Sequence, residues 1–374
     1  MAPEDVFRRL QQHLDRMPVG FPATKSGVEI RILQRLFTVE EAGIALELSA
    51  VPEPVPVIHR RLRRAMPREA LARALDRMAE RGLIERVGGK RAPKYGKSLL
   101  AVGMYERQLT RLTPELQRDL DDYMAEAFGR AFHGGGIPQL RTVPVNQAIA
   151  PPLSVGTYDD IRSFVAAFDG PFAVMDCICR NGHDLLNEPC RQTTARQTCL
   201  TFGPAARAMV REGAAHYIDR EGVLSVLDEA DREGLVLQPQ NTQSPLFICC
   251  CCGCCCGVLK SARQLPEPAR HFSTNHLADV NPDICEACGT CQGRCQMDAV
   301  SFETGAAAVL EARCIGCGLC VTTCPSGAMT LVRRPGNRTP PADTPALYTA
   351  IFIERFGKFG AAVAAGRHLL GMKV

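Results

Sequence analysis

The chain has 374 residues, of which 46% are hydrophobic and 22% charged, with 19 cysteines, no tryptophan and a formal net charge of +4. This length accommodates two or three domains with aliphatic cores, and this charge content excludes global disorder. All cysteines lie between Cys177 and Cys324 and the opening MAPEDVFRRL lacks the layout of a secretory signal, which argues against a disulfide framework and for metal ligation in a reduced, cytoplasmic, oxygen-poor setting.

In chain order, Val6, Leu10, Leu14 and Met17 recur at helical spacing, as do Val28, Ile30, Leu33 and Leu36. Thr38 is placed to cap a helix that opens Val39-Glu40-Glu41, with Ile44, Leu46 and Leu48 continuing the apolar pattern. Pro67 suits the first turn of a further helix, whose Leu71, Leu75, Met78 and Ala79 form one face as far as Gly82. LIERV, a basic Gly88–Gly89 turn and SLLAV then read as a hairpin. Helices followed by such a hairpin predict a winged-helix-like domain over residues 1–110.

Thirteen Lys/Arg between His59 and Lys97 oppose four acids, a net +9 there against −5 over the rest. Arg68, Arg73, Arg77 and Arg81 on the third helix, with Lys90, Arg91, Lys94 and Lys97 in the wing, would suit phosphate and guanine contacts. The alternative is a solvated face on a fold that packs against other parts of the chain. DNA is therefore open as a partner but not favoured.

Residues 111–170 read as an amphipathic helix (Leu116, Leu120, Tyr123, Met124, Phe128), a Gly-rich break at His133–Gly136 and a Pro-rich linker over Ile137–Gly156. Residues 171–265 read as a helical cysteine-rich domain. Val223, Val226, Leu227 and Ala230 predict a helix ending near Gly234. Cys177, Cys179, Cys190 and Cys199 precede that helix, and ICCCCGCCCG carries Cys249 to Cys256 after it. Candidate metal ligands here are Cys177, Cys179, Cys190, Cys199, Cys249, Cys251, Cys252, Cys254, Cys255 and Cys256. Side chains of adjacent residues point to opposite faces of an extended backbone, so these thiols cannot all reach one ion, although Gly253 and Gly257 could provide bends that redirect some of them. One cluster with spare thiols, two metal sites, or a cluster beside a redox-active dithiol all stay open; zinc is an alternative to iron–sulfur, and His183 is a weaker ligand candidate.

Cys285, Cys288, Cys291 and Cys295 are spaced C-x2-C-x2-C-x3-C, and Cys314, Cys317, Cys320 and Cys324 repeat the spacing, followed by Pro325. Two residues between thiolates let a loop wrap three corners of an iron–sulfur cube, while the fourth cysteine serves the other cube, as in two-cluster ferredoxins. The expected sets are Cys285, Cys288, Cys291 and Cys324 for one [4Fe–4S] cluster, and Cys314, Cys317, Cys320 and Cys295 for the second. CQMDAVSF and CPSGAMTL follow the two runs as matching turn-and-strand segments, with a Thr304–Gly305 hairpin turn between them. Paired C-x2-C motifs with a long spacer, the usual zinc pattern, fit this spacing poorly.

From about Asp279 to Arg334 the chain resembles the bacterial dicluster ferredoxin family, with Gln296 standing where a proline often follows the fourth cysteine. DCICRNGHDLL, ICCCCGCCCGVL, LFTVEEAGIALELS and AVGMYERQL make the whole chain similar to large 4Fe–4S-binding proteins of anaerobes. Cys251-Cys252-Gly253 and Cys255-Cys256-Gly257 also resemble the Cys-Cys-Gly motifs of heterodisulfide-reductase-like subunits, without their long spacers.

The expected architecture is an α+β multidomain chain: an N-terminal winged helix, a central helical cysteine-rich domain, a bacterial dicluster ferredoxin-like fold over 270–335, and a helical tail over 336–374. No apolar run is long enough for a membrane span. The expected function is one-electron transfer to a redox partner protein. The competing readings are a redox-responsive DNA-binding regulator and an oxidoreductase component acting at Cys249–Cys256.

Overall fold

The helical spacings near the N-terminus fold as expected in the computed structural model, which describes residues 3–62, 66–89, 91–145, 159–302, 305–336 and 338–374. Two units emerge, Met1–Phe132 with Thr349–Val374, and His133–Tyr348.

The first unit holds helices α1 (Pro3–Leu14), α2 (Val28–Leu36) and α3 (Val39–Ala45), strand β1 (Glu53–Pro54), α4 (Val55–Arg61), α5 (Arg68–Glu80), β2 (Ile84–Val87) and β3 (Lys94–Lys97). Helices α6 (Pro114–Tyr123) and α7 (Gly129–His133) follow. Thr38 starts α3 through a capping box, Glu41 N–H donating to Thr38 Oγ1 (3.2 Å) and Thr38 N–H to Glu41 Oε2 (2.9 Å). The three strands pair antiparallel in the order β1-β3-β2, with Ile84 opposite Lys97 and Val87 opposite Lys94. Helix α5 buries Leu71, Ala74, Leu75, Met78 and Ala79 and leaves Arg68, Arg73 and Arg77 exposed. Several of the other basic residues are engaged within the unit: Arg61 pairs with Glu53, Arg81 with Glu41 (2.6 Å) and Arg86 with Asp76 (3.1 Å), while Lys97 is buried. Arg63, Arg64 and Lys90 lie outside the described residues.

In the second unit, residues 171–265 are not a helical domain as expected. They form a five-stranded antiparallel sheet in the order β6-β4-β5-β8-β7: β4 (Phe172–Asp176), β5 (Gln197–Phe202), β6 (Ala215–Ile218), β7 (Val236–Pro239) and β8 (Phe247–Cys251). FAVMD and FICCC are short, mostly apolar and largely buried, and QTCLTF mixes polar and apolar residues, so none of the three carries a periodicity that separates strand from helix. Around the sheet lie α8 (Ile161–Ala167), α9 (Ile178–Leu185), α10 (Gly203–Arg211), α11 (Arg220–Arg232) and α12 (Gly257–Arg263). Helix α11 is the one expected, burying Val223, Leu227 and Ala230 and ending before Gly234 at φ 72°.

The first part of the expected linker also joins this body. Leu140, Val143 and Val145 are buried, and bridges link Leu140 to Gln240 and Val143 to Leu237. The remainder of that linker, from residue 146, lies outside the described residues.

The cysteine runs sit among β9 (His276–Val280), α13 (Thr290–Arg294), β10 (Val300–Ser301), β11 (Ala308–Val309) and β12 (Met329–Arg333). β12 pairs antiparallel with β9, and β10 with β11 across the hairpin foreseen at Gly305; Thr304 is outside the described residues. Leu200, Phe202, Leu227 and Ile248 belong to the same buried apolar cluster as Met297, Ile315, Leu319 and Leu331, so the sheet and the cysteine module share one core. Each such side chain removed from water contributes about 1.5–3 kcal/mol. Helix α14 (Thr344–Leu369) closes the chain, interrupted at Gly357.

Candidate metal centres

The two C-terminal runs have the same backbone conformation 29 residues apart. Left-handed residues recur at Ala287 and Gly316, at Gly289 and Gly318, and at Asp298 and Gly327. Gly316 is irreplaceable on space as well as φ: a Cβ there would lie 2.3 Å from His276 O. These turns point the thiols inward around two hollows. An open hollow of about 290 Å³ is lined by Cys285, Cys288, Cys291 and Cys324, and another of about 390 Å³ by Cys295, Cys314, Cys317 and Cys320. Each hollow thus takes three cysteines from one run and the fourth from the other.

Backbone donors serve the sulfurs in matching fashion. Ala307 N–H points to Cys285 Sγ (3.4 Å) and Ala278 N–H to Cys314 Sγ (3.5 Å). Ala299 N–H points to Cys295 Sγ (3.2 Å) and Met329 N–H to Cys324 Sγ (3.4 Å). Burial pushes the free Cys317 thiol up to about 12 and raises Cys320 and Cys295, so these sulfurs become anionic only when a cation compensates them. Cys288 is exposed, and the hydroxyl of Thr290 holds its thiol below the ordinary value. Four thiols around a hollow, supplied with N–H donors, suit a [4Fe–4S] group.

The ten upstream candidates separate into two sets. Cys190, Cys252, Cys254 and Cys255 have sulfurs that all lie within 4.8 Å of one another. The other six form a string of sulfur contacts, Cys177 to Cys179, Cys179 to Cys256, Cys256 to Cys251, Cys251 to Cys249, and Cys249 to Cys199. Within that string, contacts from Cys199 and Cys251 hold Cys249 well below the ordinary thiol value, while Cys177 is raised by its contact with Cys179. His183 faces Glu188 (Nδ1 to Oε2 3.5 Å).

The thiols do not all gather at one place, and a bend at Gly253 redirects some of them: β8 ends at Cys251 and the chain turns through Gly253, Cys254 and Cys255, bringing the sulfurs of Cys254 and Cys255 within 3.7 Å. Gly253 permits this because its backbone lies against Gln296: a Cβ would meet Gln296 O at 2.8 Å.

Two further residues were not recognisable from spacing. Arg180 is fully buried, donating from Nη2 to Cys250 O (2.7 Å) and reaching Cys252, and among the described residues it forms no ion pair with a carboxylate. Its only sequence signal is its place directly after Cys177-Ile178-Cys179. Gln296 accepts from Gly253 N–H (2.7 Å) and donates to Gln192 Oε1 (3.1 Å), joining the cysteine module to the turn that carries Cys252 and Cys254.

Residues 307–330 match the family described as 4Fe-4S binding domain. Over 54 residues the chain is 43% identical to the electron transport protein HydN of Escherichia coli strain K12, a stretch covering 14% of this chain and 31% of HydN, and it matches HydN of Escherichia coli O157:H7 equally. It is 44% identical to YsaA of strain K12 over 50 residues, 13% of this chain and 32% of that one. The chain therefore spans about a third of the length of these curated relatives. No solved structure matches it. The C-terminal part of this chain thus carries a 4Fe-4S binding domain at residues 307–330, and a 54-residue stretch of the chain is similar to an electron transport protein.

Proposed function

We propose that the chain is an electron-transfer protein, or the electron-delivering component of a larger redox system, whose 270–335 module holds two [4Fe–4S] clusters. Cys285, Cys288, Cys291 and Cys324 hold one, and Cys314, Cys317, Cys320 and Cys295 the other. The observation that carries this is the crosswise lining of the two hollows. When bound, such clusters supply one-electron acceptance and release.

The chain's own contribution is to seat and tune them. N–H groups of Ala278, Ala299, Ala307 and Met329 stabilise thiolate charge, and Cys314 and Cys320 are themselves buried. Exposed Cys288 marks the end at which a redox partner protein approaches. The sequence offers no nucleotide-binding glycine loop, so donor and acceptor are read as proteins, or as a substrate at the upstream cysteines. Among the described residues no helix is long and apolar enough to cross a membrane. Nineteen cysteines in runs suited to metal ligation favour a cytoplasmic, anaerobic setting.

The test is anoxic purification with iron and sulfide quantification and EPR. The two hollows should account for about eight irons and as many sulfides. Cys324→Ser should perturb the centre bound by Cys285, Cys288 and Cys291, and Cys295→Ser the other. A preparation holding zinc without sulfide would overturn the reading.

A second reading concerns the first unit. Its helices and three-stranded sheet are read as a winged helix, and the exposed Arg68, Arg73 and Arg77 of α5, with Arg91 and Lys94 of the hairpin, favour a DNA-facing surface. Binding to the chain's own promoter region that is no tighter than to random DNA across a salt titration would dismiss it.

A further inference from the structure

We propose that Cys190, Cys252, Cys254 and Cys255 bind a single divalent metal ion in a tetrahedral tetrathiolate, zinc or ferrous iron, and not an iron–sulfur cluster. The argument is one of size. A zinc–sulfur bond of about 2.3 Å in a tetrahedron sets the sulfur–sulfur edge at about 3.8 Å. The observed separations are 3.5 Å for Cys190–Cys254, 3.7 Å for Cys190–Cys252 and 3.7 Å for Cys254–Cys255. A cubane seats each thiolate on a different iron, which separates its four sulfurs by roughly 6 Å. No cubane fits inside a quartet whose sulfurs all lie within 4.8 Å of one another. Among the described residues no three of the eight C-terminal thiols gather so closely; they line open hollows instead. One chain therefore carries two kinds of thiol cage, distinguished by the space between the sulfurs.

Charge gives an independent indication. A fully buried guanidinium needs compensating negative charge, and Arg180 has no carboxylate partner among the described residues. Its Nε is buried without a hydrogen-bond partner, and its cation lies beside Cys252, Cys251 and Cys177. Four thiolates on a divalent ion carry a net charge of −2, and one of the four, Cys252, lies beside the Arg180 cation, which also faces Cys177 and Cys251 of the other set. The loop after Cys190 completes the cage, with N–H groups of Gln192 and Thr193 directed to Cys190 and that of Arg191 to Cys254. Such donors are what thiolate ligands of a closed structural site require. Four protein ligands leave no open coordination position, so the ion holds the turn after β8 against the loop after α9 and does not process a substrate. This assignment does not depend on the electron-transfer reading.

The experiment measures metals and acid-labile sulfide in the full-length, anoxically purified protein and in its Cys190→Ser and Cys254→Ser variants. The expected wild-type result is one metal ion beyond those matched by sulfide. If that ion is zinc, zinc-edge X-ray absorption shows four sulfurs at about 2.3 Å and no metal–metal scattering. If it is iron, the Mössbauer spectrum contains a tetrathiolate component distinct from cluster iron. Both variants should lose that ion alone, with sulfide and cluster EPR retained. Arg180→Gln should weaken metal retention in chelator competition about 10–100-fold. Should the cysteine variants fail to fold, the wild-type metal-to-sulfide ratio and spectra still decide. Variants that lose about four irons together with four sulfides, or a wild type with no ion beyond its clusters, would overturn the proposal.

Discussion

Replacing Gln296 by alanine tests whether the cysteine module and the Cys252–Cys255 turn are clamped together by one side-chain amide. Gln296 is 7% exposed and Gly253 is buried, so no water replaces the amide oxygen that Gly253 N–H donates to at 2.7 Å. Leaving a buried donor unsatisfied costs about 1–3 kcal/mol. Because tenfold in an equilibrium corresponds to about 1.4 kcal/mol, the Gly253 amide should exchange roughly 5–150-fold faster in deuterium. The lost bond to Gln192 Oε1 adds about 0.5–1.5 kcal/mol, and a Gln192→Ala/Gln296→Ala double-mutant cycle should return a coupling of that size. Exchange is followed under anoxic conditions in peptides covering residues 249–258 and 295–302. The first unit supplies an internal control, since its protection should not move. Gln296→Pro should behave no better than alanine, because proline supplies neither amide group. Unchanged exchange across residues 249–258 in Gln296→Ala would refute the clamp.

Gly316→Ala should cost about 3 kcal/mol or more and lower iron and sulfide content, since its Cβ would sit 2.3 Å from His276 O at φ 67°. Ala287→Gly, at the matching position with φ 51°, should stabilise the module by about 1 kcal/mol in anoxic denaturant titration. Lys97 is buried and held down at about 7 by desolvation and by Arg16 and Lys373. Between that value and 10.5 the unfolded chain holds the proton and the folded chain does not, so stability rises with pH through this window and the burden is full below about 7. Lys97→Met should therefore stabilise the first unit by about 2–4 kcal/mol near neutral pH, the gain fading towards pH 10.5. His13, pushed down to about 3 by burial and by Lys97, should titrate at higher pH in the same variant, which NMR would detect.

The parts of the molecule that follow a fixed spacing were legible in the sequence. Helices α3, α5 and α11 follow from apolar period and caps, and the C-x2-C-x2-C-x3-C runs, whose spacing shapes the loop, line the two hollows. The five-stranded sheet was not legible. Its strands are short and, β6 apart, largely buried, and they pair across long separations, Cys199 with Cys249 for example. Nor could spacing sort the upstream thiols, because a single turn at Gly253 decides which neighbours share a side. Cys252, Cys254 and Cys255 go to one set and Cys249, Cys251 and Cys256 to the other.

The same side chain thus serves different ends through backbone alone. In the C-terminal module left-handed residues between the cysteines, Ala287 and Gly316, hold the sulfurs apart around a hollow. After β8 the backbone turns with Gly253 alone between the cysteines, and the sulfurs draw together to within 3.5–3.7 Å. Cys295 lines a hollow and its neighbour Gln296 grips Gly253, which lies between Cys252 and Cys254. Order at the upstream turn therefore fixes the position of the residue that follows a hollow-lining thiol. Since hydrogen bonding and solvent exposure set the potential of a thiolate-bound centre, Gln296→Ala should shift the potential of a centre held at the hollow that Cys295 lines, and an unchanged potential in anoxic titration would show that the Gln296 contact does not reach it.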